Sequence, residues 1–207
     1  MRKEVKLPET LLHMELLIAY LHSIARMSPA LEAHLRNILQ RMVFEKGTVI
    51  LREGAICRHI FFIEVGLVQI YRMEDVIVTR WILEQKDIFI SPRSFFRQIA
   101  SEYTIIALEN CICWSITRKQ LEDVCRLFPE FLLHRAYITE EYYCRSEDRH
   151  DEMQLMPAVD KYAALAEKRE NLLYCLPVGV LASYIGVGES TFYAARKEYH
   201  DRRRNKK

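Results

Sequence analysis

The sequence lacks long hydrophobic segments and the short motifs of the common hydrolases. No apolar run approaches the length of about 18 residues that a membrane-spanning helix needs. The first ten residues are charged and contain no apolar core of a secretion signal. G-x-x-x-x-G-K-[ST], G-x-S-x-G and H-E-x-x-H are all absent. We therefore expect a cytoplasmic protein that does not associate with membranes, is not an enzyme and has no catalytic residues.

Cysteine and histidine are present, but not in the groupings that bind metals. The six cysteines are scattered, and the closest pair, Cys111 and Cys113, is expected on one face of a strand. C-x-x-C does not occur. Between residues 43 and 117 the only histidine is His59, which disfavours a cupin-type metal site because that site needs several histidines on adjacent strands. We expect buried thiols, no metal and no cofactor.

The composition is that of a folded protein of one or two domains. Half of the 207 residues are apolar or aromatic and 28% are charged, so the chain can bury a substantial core. Apolar periodicity predicts helices over residues 10–27 and 28–42, the second beginning at Ser28 and Pro29. Short β-branched and aromatic runs then predict antiparallel strands, at residues 47–51, 59–64, 67–73, 76–83, 103–109 and 111–117. Because helices do not alternate with these strands, a sandwich, jelly roll or barrel is favoured over a parallel sheet.

The most informative stretch covers residues 177–199. Apolar residues line one face of a helix over residues 178–185, Gly186 then supplies a tight turn, and a second helix begins at Glu189. Two short helices around such a turn are typical of a helix-turn-helix, whose second helix reads base edges in the DNA major groove. An ordinary helical hairpin would show the same pattern.

The charge that follows the second helix favours nucleic acid as its partner. Residues 196–207 carry a net charge of +5, whereas the preceding residues together carry −3. Basic charge concentrated beside a candidate reading helix is typical of a polyanion-binding end. The alternative is a solubilising basic tail.

Several further segments, taken in order, resemble one protein family. KGTVILREG and HIFFIEVGLVQIYR, within residues 46–72, are similar to the opening of a cyclic-nucleotide-binding β-roll. FPEF at residues 128–131, Pro177 and LASYIGV at residues 181–187 follow at suitable spacing. Together they resemble the Crp/Fnr family of bacterial transcription regulators, in particular its Bacteroidetes branch.

The resemblance implies an α+β protein with three parts. Residues 1–128 would form an antiparallel β-roll sensor with leading helices, residues 129–156 a long dimerisation helix and hinge, and residues 157–207 a winged helix-turn-helix domain. The long helix is expected at residues 131–153, and the next helix at residues 158–167. The implied partners are double-stranded DNA, a second copy of the chain and RNA polymerase.

The residues that bind cyclic nucleotides in this family are not matched here. The Gly-Glu element is replaced by residues 87–92, and the Arg-Ser/Thr pair by Glu102, Tyr103 and Thr104. A carboxylate where an arginine should hold the cyclic phosphate would repel it. We therefore expect no binding of cyclic AMP or cyclic GMP and leave the effector unidentified. The residues expected to line the pocket share the equivalent region: Phe89, Arg93, Ser94, Phe95, Tyr103 and Thr104. The alternative is that this loop fills the roll with its own phenylalanines.

The second helix of the candidate motif also departs from the family pattern. The residues expected to meet DNA lie on its outer side: Glu189, Ser190, Thr191, Tyr193, Arg196 and Lys197. Glu189 and Ala194 stand where many members have arginine, so the usual arginine contact to guanine is missing. Glu189 and Ser190 are expected to meet bases, and the other four to hold phosphates. A dimeric β-roll sensor with degenerate DNA reading is the alternative function.

Overall fold

The computed structural model describes residues 14–205, which form two antiparallel sheets with helices before and after them. The helices are α1 (Glu15–Ile24), α2 (Pro29–Ile38), α3 (Pro92–Arg97), α4 (Arg118–Leu127), α5 (Phe131–Leu155), α6 (Ala158–Lys168), α7 (Glu170–Cys175), α8 (Val178–Tyr184) and α9 (Glu189–Arg204). The strands are β1 (Gln40–Phe44), β2 (Val49–Leu51), β3 (His59–Val65), β4 (Val68–Met73), β5 (Ile77–Leu83), β6 (Ile88–Phe89), β7 (Thr104–Ala107) and β8 (Cys111–Thr117). Within residues 14–205, no helix is long and apolar enough to cross a membrane.

The strands form the predicted antiparallel β-roll. One sheet has the order β1-β8-β3-β6 and the other the order β2-β7-β4-β5. Alternate residues of both sheets point into the space between them, where Phe61, Ile63, Val68 and Phe89 are buried in one cluster. The ring planes of Phe61 and Phe89 are stacked, with centroids 4.7 Å apart. The interior of the roll is therefore a packed core.

The leading helices cover the outer face of the first sheet. Leu31 and Leu35 of α2 pack with Phe62 and Trp114 of the sheet and with the start of α5. Ser28 caps α2, as predicted, by accepting a hydrogen bond from the Leu31 N–H at 3.2 Å. The predicted extension of this helix to residue 42 is wrong, because β1 begins at Gln40 and pairs with β8. The part of the first predicted helix before residue 14 lies outside the described residues.

Gly66 permits the tight connection between β3 and β4. Its φ is +108°, and a Cβ at this position would lie 2.6 Å from Cys111 Sγ and 2.7 Å from Asn110 O. We expect Gly66→Ala to lower the free energy of unfolding by about 3–5 kcal/mol, because backbone strain and overpacking act together. Urea denaturation of the whole chain measures this.

Gly54→Ala is the matched control for that change. Gly54 also has a positive φ, +83°, but apart from its chain neighbours no atom of the described residues lies within 4 Å of the point that an added Cβ would occupy, so only backbone strain remains. The free energy of unfolding should fall by about 1 kcal/mol in Gly54→Ala. Equal losses in the two variants would contradict the steric part of the argument.

The C-terminal helices form a core of their own. Tyr162, Leu172, Leu181 and Phe192 are buried together. No strand occurs between residues 118 and 205, so the wing implied by the family resemblance is not formed in this part of the chain. The physical reason is that α9 continues through Arg204 on residues that favour helix, with no alternation of apolar and polar residues.

The C-terminal helices also dock on the free edge of the second sheet. Ser183 Oγ of α8 donates a hydrogen bond to Ile77 O at 2.6 Å and accepts one from the Thr79 N–H at 2.9 Å. Arg169 Nη1 donates to Ile82 O at 2.8 Å. These bonds satisfy backbone groups of β5, the edge strand, which has no strand partner on that side among residues 14–205.

Candidate nucleic-acid interface and sensor cavity

Helices α8 and α9 form a helix-turn-helix. Gly186 has a φ of +69°, and the Val187 N–H donates to Ala182 O at 3.0 Å, which closes the turn. Gly188 is the N-cap of α9, without a side-chain cap. The small side chain of Ala182 is 1% exposed, so the second helix crosses closely over the first.

A narrow stripe fixes α9 on the domain core and leaves its other faces open. Phe192, Ala195 and Tyr199 are buried. The rings of Phe192 and Tyr199 meet Tyr162 of α6 edge-on, with centroid distances of 5.2 and 5.5 Å. Burial raises the pKa of the Tyr162 phenol above its ordinary value. The stripe holds the helix rigidly from behind.

All six residues predicted to meet DNA are exposed on the remaining surface of α9 or at its start. Tyr193 is 51% exposed despite its size. Within residues 14–205, neither Arg196 nor Lys197 makes an ion pair. The cations further along the helix are engaged, since Arg202 pairs with Asp160 and Glu198, at 3.2 and 2.7 Å. Arg196 and Lys197 therefore place two cations without ion-pair partners at the middle of α9.

Glu189 differs from the other five residues in the direction of its side chain. A Cβ at Gly179 of α8 would lie 2.9 Å from Glu189 Oε1, so the carboxylate folds back over the first turn of α8. A carboxylate there interacts favourably with the helix dipole of α8. In this conformation Glu189 is not extended towards a groove, unlike the base contact expected from the sequence.

A stacked pair of side chains joins α5 to the helix-turn-helix. Arg149 of α5 is 5% exposed, and its Cζ lies 4.1 Å from the centroid of the Tyr184 ring at the end of α8. Its guanidinium also donates to Tyr184 O and pairs with Glu152 at 3.0 Å. On the other side, Arg169 Nη1 donates to the Tyr184 hydroxyl at 3.1 Å. Tyr184 thus connects the long helix, the α6–α7 connection and α8.

A cavity of about 270 Å³ opens between the second sheet, the α3 segment and α5. Of the predicted pocket residues, Arg93 and Tyr103 line it. Phe89 packs between the two sheets, and Phe95 is fully buried against the leading helices. Ser94 Oγ accepts from the Cys57 N–H at 2.8 Å, and Thr104 Oγ1 accepts from the Glu53 N–H at 3.2 Å. Only two of the six predicted residues are therefore brought together in this cavity.

The cavity has lining residues that the sequence reasoning missed. Trp81 and Arg80 of β5 contribute one wall, and Tyr142 and Ser146 of α5 contribute another. The Trp81 and Tyr142 rings are 6.3 Å apart. The available signal in the sequence was Tyr142, an aromatic residue within a polar segment of the long helix. Only the packing of α5 along the roll shows which surface this tyrosine covers.

Charge in this cavity opposes an anionic ligand at one wall. Glu102 Oε1 lies 3.1 Å from Arg93 Nη1, and both side chains line the cavity. The Arg93 guanidinium is therefore already paired with a carboxylate, whereas Arg80, which also lines the cavity, makes no ion pair among the described residues. A cyclic phosphate bound to Arg93 would have to displace Glu102 and then remain beside its charge.

The cysteines have the surroundings of structural thiols. Cys57, Cys111 and Cys113 are buried and free. Burial raises the pKa of the Cys113 thiol to about 12. Among residues 14–205, no group of three or more His, Cys, Asp or Glu side chains is placed to hold a metal ion.

Comparison with known proteins identifies the architecture. Residues 41–127 match the family model described as the cyclic nucleotide-binding domain. FixK2 from Bradyrhizobium japonicum superposes with a TM-score of 0.68 at 13% identity, covering 80% of this chain and 86% of that one. The chain has the fold of the Crp/Fnr regulators.

Two further solved structures agree. The c-di-GMP-responsive global regulator CLP from Xanthomonas campestris gives a TM-score of 0.66 at 12% identity, with 84% and 92% of the two chains covered. A protein from Eubacterium rectale assigned to the crp/fnr family of transcriptional regulators gives 0.65 at 14% identity, with 85% of each chain covered. No curated protein matches by sequence. At identities of 12% to 14% these superpositions establish the Crp/Fnr fold of the chain.

Proposed function

We propose that this chain is a homodimeric, DNA-binding transcription regulator of the Crp/Fnr type. The observation that carries the proposal is the exposed outer side of α9, where Ser190, Thr191, Tyr193, Arg196 and Lys197 are all accessible. Side chains with hydroxyl and cationic groups on a rigid helix suit phosphate and base-edge contacts. The Crp/Fnr fold supports the same function.

The long helix supports pairing of two chains. Leu132, Leu133, Tyr137 and Tyr143 of α5 are large apolar side chains that are 47% to 66% exposed. A run of such residues along one helix is typical of an interface. Sedimentation should give the mass of two chains, and the dimer should present two copies of α9 to successive major grooves about 34 Å apart.

A salt titration with duplex DNA tests the function directly. The logarithm of the binding constant should fall linearly with the logarithm of salt concentration, because basic side chains displace counterions from phosphates. At fixed salt, some promoter fragments should bind more tightly than bulk DNA. Salt-sensitive binding without any sequence preference would favour the alternative, a dimeric β-roll sensor with degenerate DNA reading.

We further propose that the roll responds to a signal other than cyclic AMP. The Glu102–Arg93 pair in the cavity supports this. Cyclic AMP and cyclic GMP at millimolar concentration should leave the melting temperature unchanged, since only a ligand that binds the folded state stabilises it. A shift of several degrees would contradict the proposal.

Glu102→Gln provides the matched control for that screen. The change removes the carboxylate charge and releases Arg93, while the shape of the side chain is retained. Any residual affinity for a cyclic phosphate should therefore rise in this variant. If both proteins are stabilised equally, Glu102 is not what excludes the phosphate.

A further inference from the structure

A second cavity, of about 200 Å³, lies outside the roll and has a different character. Its floor is the outer face of the first sheet, with Phe62, Trp114 and Ile116, and its sides are α1, α2 and α5. Leu17, Leu35 and Ile138 contribute the apolar side walls. Such an enclosure favours an apolar ligand body and gives it few hydrogen-bonding partners.

The charged side chains of this cavity are confined to α5 and the turn before β6. They are Lys86, Arg135, Glu141 and Arg145. Arg145 is already held by Asp87, with Nη1 2.8 Å from Oδ1. Within the described residues neither Lys86 nor Arg135 makes an ion pair with a carboxylate, and Arg135 has only a weak contact at 4.0 Å with Cys125 Sγ. With Arg145 paired to Asp87, the rim has the two cations Lys86 and Arg135 against the single carboxylate of Glu141, a formal excess of one positive charge.

The backbone at Lys86 adds an independent observation. Its φ is +74°, a left-handed conformation that glycine or asparagine adopts at lower cost. The Cβ of lysine makes this conformation unfavourable for the turn itself. Strained non-glycine residues of this kind concentrate at active sites, ligand clamps and switch regions.

We propose that this outer cavity binds an aliphatic carboxylate. The alkyl chain lies on Phe62, Trp114 and Ile116, and the carboxylate faces the rim, to which Lys86 and Arg135 both contribute positive charge. A rim cation gives an ionised head group charge-assisted hydrogen bonds, while burial of the alkyl chain supplies the apolar part of the affinity. The inference does not depend on DNA binding.

A ligand in this outer cavity would also affect the sensor cavity, which is the cavity of about 270 Å³ between the second sheet, the α3 segment and α5. Ile90, Pro92 and Tyr142 line both cavities, so they form a shared wall. Tyr142 and Arg145 both contact the Trp81 ring on the far side, the Arg145 Cζ at 5.6 Å from its centroid. A ligand in the outer cavity therefore bears on the same segment of α5 that closes the sensor cavity.

The two tryptophans of the chain make the proposal testable, because Trp114 lines the outer cavity and Trp81 lines the sensor cavity. The probe is 11-bromoundecanoate below its micelle concentration, since bromine quenches indole fluorescence on contact. In Trp81→Phe, where only Trp114 emits, quenching should be strong and saturable. In Trp114→Phe it should be weak. Undecanoate should displace the probe without quenching.

The head group and the rim cations are tested in the same assay. The uncharged probe 11-bromoundecanol should bind about tenfold more weakly than the acid, and Lys86→Gln with Arg135→Gln should reduce binding of the acid by a similar factor. Arg126→Gln, which removes an exposed cation outside the cavity, should have no effect. Equal binding of the alcohol and the acid would overturn the carboxylate assignment.

Trp114 Nε1 donates to the buried Glu64 at 3.0 Å, so Trp114→Phe removes a buried hydrogen bond and can prevent folding. A further variant that keeps both tryptophans makes the test independent of this risk. In the wild-type background, Ile60→Phe adds volume inside the outer cavity and should abolish saturable quenching. Quenching that persists in Ile60→Phe, or that is confined to Trp81, would place the ligand elsewhere and refute the outer site.

Discussion

Replacing both Arg196 and Lys197 by alanine is expected to weaken binding to duplex DNA by a factor on the order of 10²–10³ at 0.1 M salt. Both side chains are exposed on α9 and make no ion pairs within the described residues. A dimer would lose four cations at once. Because these residues are assigned to phosphates rather than bases, the loss should be similar for all DNA sequences.

The salt dependence gives a second measure of the same contacts. The slope of log K against log salt should become shallower by about 3–4 for the dimer, since each phosphate contact contributes about 0.9. Filter binding or fluorescence anisotropy at several salt concentrations measures both quantities. Thermal stability should be unchanged, because neither side chain belongs to the buried stripe.

Arg202 and Arg203 provide the matched control. Their double alanine variant removes the same charge, but these guanidiniums already interact with Asp160, Glu198 and the Tyr199 hydroxyl. We expect a clearly smaller loss of affinity. If the two double variants behave alike, general positive charge along α9 binds DNA, and Arg196 and Lys197 have no special role.

Arg149→Ala should produce the largest loss of stability at the junction between α5 and the helix-turn-helix. The change removes the cation stacked on Tyr184, leaves Tyr184 O without its side-chain donor and opens a cavity. We expect the free energy of unfolding to fall by about 2–3 kcal/mol. Breaking a fully buried ion pair costs about 3–5 kcal/mol, but the loss is smaller here because Glu152 is partly exposed. For a chain of this size that corresponds to about 5–10 °C in melting temperature.

The controls separate the stacked geometry from simple loss of charge. Arg149→Lys keeps the charge but not the planar group, so an intermediate effect is expected. Arg126→Ala removes an exposed arginine whose side chain is 76% accessible and should change stability by less than about 0.5 kcal/mol. Calorimetry of the three variants checks the order. A melting temperature for Arg149→Ala equal to that for Arg126→Ala would show that the stack contributes nothing.

Patterns confined to a short stretch of sequence predicted most of the helices, strands and turns of this protein well. The second helix of the motif begins at Glu189, and Gly186 adopts the positive φ that the turn requires, both as predicted. Six of the eight described strands and the long helix lie within a few residues of their predicted positions, because their apolar periodicity and their turn residues are local; β1 and β6 were not predicted. The Crp/Fnr resemblance correctly gave the order of the parts.

Features that depend on distant partners were missed. Residues 40–42 read as the end of a helix, but pairing with β8 makes them a strand. The short helices α3, α4 and α7 were not predicted. The wing was predicted, but residues 118–205 contain no strand that could form it. Half of the sensor cavity comes from β5 and α5, whose contact cannot be read from either segment alone. These failures share one cause, namely that tertiary contacts override or combine local preferences.

The hydrogen bonds from Ser183 to β5 have a consequence for solubility. While α8 is docked, its hydrogen bonds occupy backbone groups of the edge strand β5, which then cannot pair with strands of other molecules. Val76, Ile77 and Val78 at the same end are 42% to 68% exposed and strongly β-forming. Detachment of the C-terminal helices would uncover an apolar, unpaired strand, which is the usual starting point for intermolecular sheet growth. The docked domain therefore also protects the protein from aggregation.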